Sequence, residues 1–372
     1  RIVIGKIEAV EAVEAVEAVE AVEAVEAVEA VEAVEAVEAV EAVETVEAVE
    51  AVEAVETVET VETVETVETV ETVETVETVE TVETVGNKIV ISLFDDKLQD
   101  IDKKILRAKP SDMPYLFKDI PMEIFGRLLL DVPVKYQNIK AFFPTMPSEE
   151  VQRHWTGNCG HVLLDQSLGF IKTLIFGYMA ITRRSLENTV ILDYGCGWGR
   201  LTRLLYKFFC FENIYAVDPW DQSIDECKNH GIKANLALSD WVPKNLPFDK
   251  KFDLVFAFSV FTHLSEKTTH VVLKTLRNYI ADNGLLVITI RPKEYWKIHN
   301  KGEVASEMLT IHDENGFAFT PLDLPPIDGD ITYGDTSISL DYFISHFPQW
   351  DLAYLEYNSI DPYQVILFLK PK

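Results

Sequence analysis

The chain has 372 residues, and 78 of them, from Glu8 to Val85, repeat a triplet that reads first mostly E-A-V and then E-T-V. Setting aside the 26 glutamates of that repeat turns a formal charge of −29 into −3, and a nearly neutral body has no basic stripe of the kind nucleic acid requires. Cys159, Cys196, Cys210 and Cys227 lack metal-ligand pairing such as C-x-x-C and read as free thiols of a reducing cytoplasm.

Residues 1–85 are low-complexity. Three residues turn a helix by about 300°, so each glutamate slips by about 60° and no fixed apolar face forms. In a strand the glutamates fall on both faces. The expectation is fraying helix in the first half, nothing regular in the second, and expansion of a short repeat rather than an acidic partner-binding arm. The chain begins at Arg1, which leaves a preceding targeting segment open.

Residues 86–160 read as an accessory helical and loop region. "KIVISLF", Lys88 to Phe94, suits a short strand or the start of that region. "DDKLQDIDKKILRA" places Leu98, Ile101 and Ile105 on one helical side. Six prolines from Pro110 to Pro147 then predict short helices and loops. Ser148 in "PSEEVQRHW" is a candidate N-cap, and His154 and Trp155 behind it either reach a site or pack in the core.

The third region, residues 161–372, opens with a long helix from about His161 to Arg183. Its run "LGFIKTLIFGYMAI" is too short to span a membrane and carries Lys172, which predicts a core-facing helix and no membrane partner. Strand-like and helix-like runs then alternate: "TVILDYG", "RLTRLLYKFF", "NIYAVDP", "DQSIDECKNHG", "KANLALSD", "FDLVFAFSVF", "EKTTHVVLKTLRNYI" and "GLLVITIRP". Apolar strands separated by helices predict an α/β fold, a doubly wound, mostly parallel seven-stranded sheet. Asn283-Gly284 reads as the entry turn of the last strand in that run. "WDLAYLEYN" and "QVILFLKP" have no helix between them and predict a C-terminal antiparallel hairpin.

Chemistry concentrates at "DYGCGWGR". Gly195, Gly197 and Gly199 follow a strand, where a turn without Cβ atoms lets a ligand lie against main chain. A helix starting there would offer free amides to an anion. A tight strand-to-helix turn that binds nothing is the alternative. A dinucleotide fingerprint is G-x-G-x-x-G; here the third glycine comes one residue early, which argues against a nicotinamide oxidoreductase.

With Asp193 two residues before the first glycine, "LDYGCGWGR" resembles the first motif of class I S-adenosylmethionine-dependent methyltransferases, and the likeness runs over roughly Thr189 to Pro292. The resemblance implies S-adenosylmethionine as cofactor, with the main chain from Gly195 through Cys196 and Gly197 to Gly199 receiving its methionine part and Asp193 near its ammonium. It implies that Asp218, ending the second strand, accepts from the ribose hydroxyls. Asp240 then faces the adenine amino group, and Trp241 stacks on the base or is a core tryptophan. It further implies in-line transfer of the sulfonium methyl, with positioning contributing about 7–11 kcal/mol.

His263, in "SVFTHLSE", follows the fourth strand at the edge where open α/β sheets bind ligands. It is the candidate catalytic base, or else a local group capping a helix or bonding a loop carbonyl. Arg291, Glu294 and Tyr295 are candidates to line the acceptor pocket. His299 and His312 lie in a segment read as irregular, without metal-ligand spacing. "LPPIDGDITYGDTSIS" reads as a lid or acceptor-binding loop. "HWTGNCG", "VFTHLSE" and "YGDTSIS" together look like bacterial methyltransferases acting on small molecules or glycan precursors. A non-catalytic scaffold with an acidic arm is the remaining alternative. The sequence does not set the oligomeric state.

Overall fold

A computed structural model of the chain describes residues 91–299, 302–357 and 361–372. The readings of the triplet repeat, and of the start of "KIVISLF", lie outside the described residues. From residue 91 that run is helix and turn rather than strand.

Residues Phe94–Lys372 form one unit, so the accessory region and the sheet share it. α1 (Asp95–Ile105) buries Leu98, Ile101 and Ile105, the three positions its spacing places on one side. α2 (Met113–Leu116), α3 (Met122–Leu130) and α4 (Gln137–Phe142) are short, as the prolines between them dictate. α5 (Glu149–Thr156) starts where Ser148 Oγ accepts from the Val151 amide and stops at Gly157, whose φ of 84° takes the left-handed turn. α6 (Gly160–Thr182) is the long helix. It lies so close to the sheet that a Cβ on Gly177 would stand 2.2 Å from the Phe368 ring.

The sheet runs through β1 (Ile191–Tyr194), β2 (Ile214–Asp218), α7 (Asp221–Asn229), β3 (Asn235–Leu238), β4 (Phe252–Ala257), α8 (Glu266–Tyr279) and β5 (Ile280–Ile290). It is completed by β8 (Trp350–Tyr357) and β9 (Val365–Pro371), in the order β3-β2-β1-β4-β5-β9-β8. The first five strands are parallel; β9 pairs antiparallel with both β5 and β8. The final hairpin therefore enters the sheet with its second strand inside and its first at the edge. All four residues of β1 and five of six in β4 are buried, the all-apolar pattern of strands covered on both faces.

Chain order reverses between β1 and β4, the kind of switch point beyond whose carboxyl ends open α/β sheets bind ligands. Between β5 and β8 the chain inserts α9 (Tyr295–His299), α10 (Gly302–Asn315), a separate antiparallel pair β6 (Phe317–Pro321) and β7 (Gly334–Ile338), and α11 (Leu340–His346).

Three expectations are corrected. After the glycine turn the chain forms a six-residue 3-10 helix, Thr202–Lys207, rather than an α-helix. Asn283-Gly284 is no turn: it lies inside β5 at a register shift, where a Cβ on Gly284 would meet the Asp253 and Ala281 carbonyls at 3.0 Å. His299 and His312 lie in two helices, α9 and α10, rather than in irregular chain. His312 is 6% exposed, and its Nδ1 lies 2.7 Å from Ser337 Oγ, so it is a buried structural group rather than part of a solvated loop.

Candidate active site

The three glycines of the turn all have positive φ, 82°, 55° and 81° at Gly195, Gly197 and Gly199, yet space separates their roles. A Cβ at Gly195 would stand 2.4 Å from Val260 Cγ2, so this residue lets β1 and the segment after β4 meet. One at Gly199 would press on Ile232 at 3.0 Å and on Cys227 Sγ at 3.2 Å. At Gly197 nothing lies within 4 Å: this is the open face of the turn, bare main chain available to a ligand. The Gly195 and Cys196 amides both donate to the Val217 carbonyl, at 2.8 and 3.0 Å. Those two amides are thereby taken up within the sheet edge and are not offered to a ligand. Cys196 buries its side chain among Ala216, Ile224, Cys227 and Ile232, and so presents only main chain.

β2 ends on Asp218, directly beside the turn. Its Oδ2 accepts from the Gly197 amide at 2.8 Å and its Oδ1 from the Trp220 amide at 3.0 Å. The Ser223 side chain also bonds to it, and since a carboxylate has about four lone-pair sites, about one is left to accept from a ligand hydroxyl. Burial raises its pKa, against those same amides, which hold it down. Asp193, in β1, is 3% exposed and accepts from the Thr202 hydroxyl at 2.6 Å. Burial pushes it up to about 7, opposed by that bond and reinforced by the neighbouring charge of Asp218.

Leu238, the last residue of β3, is in register with Asp218, which puts Asp240 two residues further along at the same carboxyl edge, solvent-exposed. Trp241 beside it is 40% exposed and is not a core tryptophan. The turn, Asp193, Asp218 and Asp240 therefore share one edge of the sheet.

His263 lies beyond the carboxyl end of β4, with both ring nitrogens engaged. Nδ1 donates to the Gly334 carbonyl at 2.7 Å, which leaves Nε2 to accept from Arg291 Nη2 at 3.1 Å. The ring stacks on Tyr333 at 5.1 Å. Burial, then the Arg291 charge, push His263 down to about 4, so the imidazole is neutral. Arg291 is 8% exposed and donates from Nη1 to the Thr262 carbonyl at 2.8 Å and to Asp335 at 2.7 Å; its guanidinium lies 3.9 Å from the Tyr295 ring centre. Glu294 is exposed.

Several groups here carry no local sequence signal. Ser259, directly after β4, has φ of 61°, a conformation L residues adopt at a cost. Gln364, 7% exposed, donates from Nε2 to Ser259 Oγ at 3.0 Å, while its Oε1 has no partner among the described residues. Arg200 donates to Gln166 Oε1 at 2.7 Å, and Gln166 Nε2 donates to Asp361 at 2.7 Å, tying the glycine turn to α6 and to the start of β9. Trp155 stacks on Trp220 with ring centres 4.7 Å apart. Trp155 is thus the candidate that reaches toward the site, whereas Trp220, two residues past Asp218, is not singled out by the sequence.

Open main chain at Gly197, a carboxylate beside it and a second buried carboxyl four residues upstream together fit the parts of S-adenosylmethionine: amino acid, ribose and cation. Among the described residues no helix is long and apolar enough to cross a membrane, and no cluster of three or more His, Cys, Asp or Glu side chains is arranged for a metal.

Comparison with known proteins agrees with the geometry. The family described as "Methyltransferase domain" matches residues 192–288. A malonyl-[acyl-carrier protein] O-methyltransferase of Halalkalibacterium halodurans is 33% identical over 134 residues, 34% of this chain and 49% of that protein. One from Brevibacillus brevis is 26% identical over 138 residues, covering 35% and 49%. The chain thus spans about half the length of the curated relatives it matches. A solved S-adenosylmethionine-dependent methyltransferase from Clostridium acetobutylicum covers 53% of this chain and 89% of its own, at 16% identity and a TM-score of 0.38. The order of the strands, the glycine turn with its two carboxylates and the family match point the same way: residues 192–288 match a methyltransferase domain, set in a fold of the class I S-adenosylmethionine-dependent kind.

Proposed function

We propose that this chain binds S-adenosylmethionine at the Gly195–Gly199 turn and catalyses methyl transfer to a small-molecule acceptor. The observation that carries the reading is the junction of Asp218 with Gly197, which joins the ribose acid to the open face of the turn. When bound, the cofactor supplies a methyl group made electrophilic by its sulfonium. The residues hold and shield: Asp218 orients the sugar, Asp193 faces the cation, and Asp240 and Trp241 flank the base.

His263 acts here as a positioning group rather than a base. Its Nε2 lone pair is committed to Arg291, and a histidine pushed down to about 4 is a poor proton acceptor at neutral pH. This favours an acceptor with no proton to lose, a carboxylate, which Arg291 after β5, although paired with Asp335, could still meet with an N–H donor. The relatives named above are O-methyltransferases of a malonyl group, so a malonyl thioester is the first acceptor to test, ahead of a glycan precursor.

Calorimetry with S-adenosylhomocysteine and NAD, followed by tritium transfer from labelled S-adenosylmethionine to malonyl-coenzyme A and to a nucleotide sugar, separates the readings. The expected result is tight S-adenosylhomocysteine binding, no heat with NAD and label on the malonyl compound. A chain that binds NAD and not S-adenosylhomocysteine refutes the assignment, and label on the sugar alone refutes the carboxylate acceptor.

A further inference from the structure

Three of the chain's six tryptophans meet the carboxyl edge of β2 and β3. Trp220 follows Asp218 by two residues and its amide donates to that carboxylate; Trp241 follows Asp240. They are 39% and 40% exposed, unusually open for side chains of their size in a protein with a large core. The third, Trp155, comes from outside the matched domain. It lies on the last turn of α5 and is half-buried, stacked on Trp220 at 4.7 Å with 26° between the rings.

Its helix is pinned to the body at the opposite end. The Thr145 amide donates to the His230 carbonyl at 3.0 Å, and Arg203 Nη1 donates to the Thr145 carbonyl at 2.7 Å. The far end of α5 meets the body through an aromatic face next to the ribose acid, where sequence pattern alone also allowed a core tryptophan.

We propose that Trp155 is a positioning residue of the cofactor site: the accessory region lends its indole to back Trp220, and the pair forms an aromatic wall for the nucleoside end of S-adenosylmethionine. The proposal rests on the methyltransferase reading and adds to it a part of the site that lies outside the family match. Aromatic faces stack on any base, and one such contact is worth about 1–3 kcal/mol, or roughly tenfold in affinity at the lower end. Held from one side only, Trp220 would sample other rotamers and the wall would be lost.

The test uses the full chain with Trp155→Ala, Trp155→Leu and Trp155→Phe. Each is titrated by calorimetry with S-adenosylhomocysteine and with 5′-methylthioadenosine, which lacks the amino acid. Alanine and leucine are expected to weaken both ligands about tenfold, and phenylalanine, which keeps a ring face, to stay within about twofold of wild type. Leucine keeps apolar bulk, so it carries the test if the alanine variant does not fold. The near-ultraviolet circular dichroism of the stacked indoles is expected to change when wild type binds 5′-methylthioadenosine. Unchanged affinity for that nucleoside in the leucine variant overturns the proposal, as does equal loss in leucine and phenylalanine variants. A wild-type chain that binds neither ligand refutes the methyltransferase reading instead.

Discussion

Asp193 carries the sharpest pH signature in the molecule. Unfolded, an aspartate titrates near 3.9; in the folded chain burial pushes Asp193 up to about 7. Between those values the unfolded chain has released its proton while the folded chain still holds it, so this group's contribution to stability falls as pH rises from about 4 to about 7 and is level beyond. Asp193→Asn has no charge to desolvate and is expected to unfold at a higher temperature than wild type at pH 8 in paired melting curves. Below pH 4 the two should converge. The same proton must leave before the carboxylate can face an ammonium. Wild-type affinity for S-adenosylhomocysteine is therefore expected to rise about tenfold from pH 6 to pH 8; a flat calorimetric profile would separate Asp193 from the ligand's cation. His263 is the complementary case. Its carbon-bound ring protons in NMR should titrate with a midpoint near 4 and show the Nδ1–H tautomer, because the Gly334 carbonyl and Arg291 fix both nitrogens. A midpoint near 6.5 would restore it as a base. Sequence placed His263 at the correct edge, but the partners that silence it, Gly334 and Arg291, stand 71 and 28 residues away. Such contacts leave no local pattern.

At the scale of elements, glycines with different surroundings separate packing from binding. Gly177 lies in α6 against Phe368, and an alanine there has to displace the ring. Gly177→Ala is expected to cost about 1–3 kcal/mol, the usual range for overpacking, and to leave the Kd of S-adenosylhomocysteine within twofold. Gly197→Ala meets open space, so its cost is backbone strain of about 1–2 kcal/mol at φ of 55°. Its Cβ fills the face the ligand needs, and binding should be lost beyond calorimetric detection. Paired melting curves and titrations check both, and equal affinity loss in the two variants would contradict the assignment of the open face. The elements themselves were largely legible. α1, α5, α6 and the strands from β1 to β4 follow from periodicity, caps and apolar runs, because their burial is set by neighbours of the same kind. The insertion was not. β6 and β7 pair only with each other, and the strand at Gly334–Ile338 lies within a run read as a loop; its register depends on Leu264 and Thr262, far back in the chain. α10 was obscured because its apolar and polar residues do not segregate cleanly.

Across the whole molecule, the accessory region is coupled to the cofactor turn through a single buried cation. Arg203, 2% exposed, donates from Nη1 to the Thr145 carbonyl at 2.7 Å, from Nε to Gly199 at 3.0 Å and from Nη2 to Trp198 at 3.2 Å. Its guanidinium also faces the Trp198 ring at 5.0 Å. Burial pulls it down to about 10, still charged at neutral pH. The planar fork reaches three carbonyls on both sides of the junction, which the single ammonium of a lysine cannot do. Arg203→Met keeps the bulk and leaves the Thr145 and Trp198 carbonyls without this donor, at about 1–3 kcal/mol for each group left unsatisfied, while the Gly199 carbonyl keeps the backbone amide of position 203. The unfolding midpoint should fall by about 6 °C or more at 2–4 °C per kcal/mol, and the turn should loosen along with α5. Lys207 provides the contrast. It also ties body to accessory region, donating to the Phe117 carbonyl at 2.7 Å, but from the far end of the 3-10 helix. Lys207→Met should lower the midpoint with S-adenosylhomocysteine affinity intact, whereas Arg203→Met should lower both. If the two variants behave alike in calorimetry, the accessory region merely stabilises the sheet. If only Arg203→Met loses affinity, the segment that precedes the methyltransferase domain is part of the device that holds its cofactor.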